Sequence, residues 1–169
     1  MMRRLGLSEE DVLTTQGNLA TTYWELGRIE EALRIERDVY SGRVRLYGEE
    51  HEDTLSTATN YAVSLKDQGH FDEAKALLRK TTPAAQRVLG SNDETTLRMR
   101  WLYAEALYKD PGATLNDLQE SMEMLEDTTR TMRRVLGRAH PEVRCIELCL
   151  EHSRALLAAR ETPADAVNS

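Results

Sequence analysis

The sequence predicts an all-α fold, a solenoid of antiparallel helix hairpins with a C-terminal capping helix. Three observations predict it. Leu5-Gly6, Tyr47-Gly48, Leu89-Gly90 and Leu136-Gly137 recur at separations of 42, 42 and 47 residues, and self-similarity at such a period marks stacked supersecondary units. Within each interval the apolar residues follow helical spacing, with no run of alternating β-branched residues. Ala, Leu, Glu and Arg, all strong helix formers, dominate the chain.

Residues 1–10 read as the remnant of a preceding repeat, since Arg4-Leu5-Gly6 matches Val88-Leu89-Gly90. The chain thus opens part-way through a repeat, so either a longer protein has been cut short or the first helix of unit 1 is expected to lie partly bare. Unit 1 spans 11–52 and unit 2 spans 53–94. Set one beneath the other, Leu13 meets Leu55, Asn18 meets Asn60, Ala20 meets Ala62, Gly27 meets Gly69, and Ala32 meets Ala74. Each unit reads as two helices, in unit 1 about 12–26 and 29–46. Leu13, Leu19, Ala20 and Tyr23 form the apolar stripe of the first helix. Gly27 ends that helix at a left-handed residue, and the second begins almost at once, which makes the pair an antiparallel hairpin.

Unit 3 spans 95–142 and opens with Leu97, Trp101, Tyr103, Ala104 and Leu107 on its first helix. An insertion near 109–116 follows, where Asp110-Pro111-Gly112 breaks the helix. Thr114 with Asp117 is placed to cap the next one in a loose capping box. Pro141 is placed to open a further helix. Residues 143–160 then repeat only the first half of a unit, with Val143, Ile146, Cys149, Leu150 and Ser153 as the buried stripe. Such a half-unit covers the apolar face that unit 3 leaves exposed. Residues 161–169 read as a disordered polar tail.

Composition narrows the function. A net charge of -7 disfavours a nucleic-acid binder, because phosphate contacts need a surplus of Lys and Arg. Arg133-Arg134 and Arg43-Val44-Arg45 lie among acidic residues and read as solvated helix faces. No apolar stretch approaches the roughly 18 residues that cross a bilayer, and no apolar segment follows Met1-Met2-Arg3-Arg4, so neither membrane insertion nor a signal peptide is expected. Two cysteines four residues apart, Cys145 and Cys149, are no disulfide framework, and a reducing, cytoplasmic setting is expected.

The run Asn-Leu-Ala-x-x-Tyr from Asn18 to Tyr23, then Gly27, then Glu31-Ala32-Leu33, resembles a tetratricopeptide repeat (TPR). The 42-residue period and the linker Leu136-Gly-x-x-His-Pro141 are similar to the kinesin light chain subtype, and Tyr47–Glu52 and Leu89–Glu94 are weaker copies of that linker. The resemblance covers about residues 5–157. It implies a right-handed superhelix and a protein or peptide partner bound in the groove that the first helix of each hairpin lines. It carries the groove Asn, which holds ligand backbone, onto Asn18 and Asn60; unit 3 departs from it with Leu102. Neighbouring groove positions are Thr21, Trp24, Lys66, Arg98, Trp101, Glu105 and Tyr108. Their mixed charge sets this groove apart from that of a light chain reading acidic cargo.

Catalysis finds no support in these residues. No His, Cys or Ser has companions arranged for nucleophilic chemistry, the glycines form no phosphate loop, and no cofactor is implied. Cys145, Cys149 and His152 share a helix without the paired spacing of a tetrahedral zinc site. His51 and His140 occupy linker positions suited to turns or caps. The sequence therefore reads as a non-enzymatic interaction scaffold. Two alternatives stay open: a C-terminal section of a larger motor-adaptor or signalling protein and, remotely, a metalloenzyme on a helical scaffold. The bare face of the first unit could also support self-association.

Overall fold

A computed structural model describes residues 8–161 as seven helices: α1 (Glu9–Glu25), α2 (Ile29–Tyr47), α3 (Glu52–Asp67), α4 (Phe71–Val88), α5 (Glu94–Lys109), α6 (Leu115–Val135) and α7 (Pro141–Glu161). Each packs on the next in chain order, forming three antiparallel hairpins and a closing helix. No strand occurs among the described residues, and the architecture is the all-α solenoid that the repeats predict. The expected remnant falls mostly on residues 1–7, outside the described residues, as does the expected tail from residue 162 onward.

Local chemistry sets the helix boundaries. α1 starts two residues before Asp11 because Ser8 and Asp11 close a capping box: the Asp11 N–H donates to Ser8 Oγ at 3.1 Å and the Ser8 N–H to Asp11 Oδ2 at 3.0 Å. The linker histidines cap in the same sense, with Nδ1 of His51 accepting from the Asp53 N–H (3.2 Å) and Nδ1 of His140 from the Glu142 N–H (3.3 Å). Gly27 and Gly69 turn the first two hairpins at φ 72° and 79°, a region costly for any side chain with a Cβ. α7 runs one residue into the expected tail, through Glu161.

The insertion after α5 is tied down. Asp110 accepts from Lys75 Nζ on α4 (2.6 Å) and from the Gly112 N–H (2.8 Å). Thr114 then opens α6 with a complete capping box, donating its N–H to Asp117 Oδ2 at 2.7 Å and accepting the Asp117 N–H at 3.1 Å. Thr114→Ala removes that cap and is expected to cost about 1 kcal/mol, read as a fall in Tm of roughly 2–4 °C.

Buried apolar clusters join neighbouring hairpins. Leu55, Leu78, Met99 and Leu107 join α3, α4 and α5, while Leu97, Leu125, Val143 and Ile146 join α5, α6 and α7. Ala20, Ala32, Ala62 and Ala74, at most 1% exposed, let the helices cross closely. Leu19 departs from its expected place in the buried stripe and is 42% exposed. Its counterpart Tyr61 is covered by Tyr40 of the preceding hairpin, ring centroids 6.4 Å apart; no described helix precedes α1 to do the same.

Candidate functional site

The first helices of the hairpins form one row of the solenoid. α3 packs on α5 and α5 on α7, but α1 leans away from α3 and rests on α2 alone. Gly42 of α2 permits this: a Cβ there would stand 2.4 Å from Leu13 Cδ2, so Leu13 drops onto the bare backbone. Between α1 and α3 this leaves a cavity of about 410 Å³. Thr14, Gly17, Asn18 and Thr21 line it from α1, Glu36, Val39 and Arg43 from α2, Asn60 and Ser64 from α3, and Arg98 from α5.

Four sequence-predicted groove residues therefore meet on one cavity: Asn18, Thr21, Asn60 and Arg98, all exposed side chains. Trp24 lies beside it, half-buried, and its indole Nε1 donates to Glu36 Oε1 at 3.3 Å. The same oxygen accepts from Ser64 Oγ at 2.9 Å, which ties α1, α2 and α3 together through one carboxylate. Burial pushes the Glu36 carboxyl above the usual carboxylate range despite both donors.

The remaining four form a second, closed group under α7. Glu105, 5% exposed, accepts from Lys66 Nζ at 2.9 Å and from Lys109 Nζ at 2.5 Å. Burial alone would raise the Glu105 carboxyl, but the bonds from Lys109 and Lys66 outweigh it and hold the group below its ordinary value. Trp101 Nε1 donates to Cys149 Sγ at 3.4 Å. Tyr108 is 4% exposed, its ring edge-on to His152 with centroids 5.4 Å apart, and burial pushes its hydroxyl well up. Burial likewise raises the Cys149 thiol. Among the described residues, no group of three or more His, Cys, Asp or Glu is placed to hold a metal, and no helix is long and apolar enough to cross a membrane.

Glu36 is a functional candidate that the sequence reading passed over, and Arg43, expected on a solvated face, instead lines the cavity with its side chain 16% exposed. The signal was available in the register. Glu36 stands where units 2 and 3 carry Leu78 and Leu125, and Arg43 where they carry Ala85 and Met132.

Two family models match the chain, both described as tetratricopeptide repeat, over residues 11–87 and 113–142. The chain belongs to the tetratricopeptide repeat family. Solved structures place this TPR protein among kinesin light chain-like repeats in fold. A point variant of the nearly identical TPR-like repeats assigned to a Podosopora anserina kinesin light chain is 22% identical with a TM-score of 0.74, over 91% of this chain and 71% of that one. A second structure of those repeats gives 22% identity and a TM-score of 0.65, over 93% and 81%. BtubC (BKLC) from P. vanneervenii gives 14% and 0.58, over 96% and 70%. No curated protein matches the chain in sequence. TPR folds of this kind are interaction scaffolds with protein partners, and the TPR protein described here is of that class.

Proposed function

We propose that this TPR protein grips an extended peptide, or a helix, along the row of first helices, with the cavity between α1 and α3 as the principal contact. The observation that carries the reading is the meeting of Asn18 and Asn60 on that cavity, both exposed and neither spent on the fold. Two side-chain amides, each offering a donor and an acceptor, suit the alternating N–H and C=O groups of an extended chain. The kinship of these repeats with light chain repeats favours the same mode of use. A bound segment would pass next over Arg98 toward the closed group under α7.

Because Asn18 and Asn60 are exposed, Asn18→Ala with Asn60→Ala should fold and melt as the parent does. Losing two to four backbone hydrogen bonds is expected to weaken peptide binding at least tenfold, at about 1 kcal/mol each. Retention of degenerate nonapeptide pools on the immobilised chain measures it. Equal retention by parent and double variant would remove the groove from the account.

A further inference from the structure

The second helix of unit 1 departs from its copies at one position. Leu78 and Leu125 are 0% exposed in the cores of units 2 and 3, whereas unit 1 places Glu36 there, on the wall of the cavity. A carboxylate in a leucine position forfeits apolar burial and brings a desolvation cost that the fold alone does not require. Only half of it is satisfied. Oε1 accepts from Trp24 and Ser64, while Oε2 is buried with no hydrogen-bond partner. No ion pair engages Glu36 among the described residues, and its raised carboxyl is what a buried carboxylate without a counter-ion shows.

The other charges at the cavity leave this one uncompensated. Arg43, also on the wall, already stands 3.7 Å from Asp53 Oδ2. Arg98 also lines an adjoining depression of about 380 Å³, which Glu52, Asp93 and Glu94 line with it. The chain as a whole is acidic, at -7. A cavity of about 410 Å³ lies in the size range of small-ligand sites and exceeds one long side chain.

We propose that the cavity between α1 and α3 seats a Lys or Arg side chain of the bound peptide, whose cationic head pairs with Glu36 while Asn18 and Asn60 hold its backbone. This rests on the groove reading above and adds a specificity rule to it: one basic residue, read by a carboxylate that replaces a core leucine. Trp24 and Ser64 act as positioning residues, fixing the carboxylate through Oε1 so that a small turn of the side chain presents Oε2 to the cation.

The test uses the full chain, immobilised, and three nonapeptide pools that are degenerate except for a central Lys, norleucine or Glu. The parent should retain the Lys pool about tenfold better than the norleucine pool, the effect of one charge-assisted hydrogen bond in a partly buried site. Glu36→Gln should bring the two pools within about twofold of each other. General attraction to an acidic protein would survive that substitution, so it is separated from the pairing. Glu36→Leu, which restores the residue of units 2 and 3, should lose the preference equally while melting no lower than the parent, and so excludes misfolding. Equal retention of Lys and norleucine pools, preference for the Glu pool, or a Lys preference intact in Glu36→Gln each overturns the proposal. If the parent retains all pools equally and only the Asn18/Asn60 double variant loses them, the groove reading stands and this inference falls. If the parent retains none, both fall.

Discussion

Glu105→Ala is expected to destabilise the protein by about 3 kcal/mol, the cost of breaking a buried ion pair from one side. Glu105 is the anion between two lysines, and the side chain of Lys66 is only 10% exposed. Removing the carboxylate leaves that ammonium, between α3 and α5, with only the solvent-facing Asp67 at 3.2 Å. Chemical denaturation should show the loss as a fall in midpoint at unchanged slope. Replacing both partners with Met should recover much of it, because a well-packed apolar pair of similar volume is often as stable as a buried ion pair. The bridge also sets a pH window. The folded Glu105 carboxyl is held below its ordinary value of 4.5, so its contribution is complete above that value and drains away as pH falls through the folded one. Lys66 is held above its ordinary 10.5: burial opposes this, but the hydrogen bonds and charges of Glu105 and Asp67 prevail. Its contribution is therefore complete below 10.5 and lost as pH rises further. A Glu105→Gln variant should show a shallower acid limb than the parent.

Leu78→Ala should cost a similar amount, about 3 kcal/mol, and lower Tm by roughly 6–12 °C. Leu78 is 0% exposed and shares a cluster with Leu55 and Ala62 of α3 and Met99 and Tyr103 of α5. In a solenoid each hairpin is held only by its neighbours, so a void at this junction weakens two interfaces at once. A loss under about 1 kcal/mol, below the usual range for such a truncation, would mean that α4 does not carry the core between units 2 and 3.

The repeat made most of the fold legible. Gly27, Gly69 and the paired alanines needed no tertiary knowledge, because turn conformation and close crossing are local demands written as small residues. Thr114 and Asp117 announced the capped start of α6 despite the inserted residues. Leu19 was misplaced for a physical reason: an apolar stripe says which face should be covered, and among the described residues no helix precedes α1 to cover it. The site was harder to read. Asn18, Asn60, Thr21 and Arg98 meet as their register implies, but Lys66 and Glu105 pair across two repeats, 39 residues apart, and spacing within one helix cannot show that. Glu36 was hidden by ordinary appearance, since an acidic residue on an amphipathic helix looks solvated. Only its alignment with Leu78 and Leu125 exposes it.

The indole and side-chain amide resonances offer the most direct test, in a peptide titration followed by two-dimensional 15N NMR. Binding between α1 and α3 should shift the Trp24 indole, which donates to Glu36, together with the side-chain amides of Asn18 and Asn60. The Trp101 indole, bonded to Cys149 beneath α7, should stay nearly still. Shifts confined to residues of α2, α4 and α6 that face away from the cavity, with Trp24, Asn18 and Asn60 unmoved, would contradict the account.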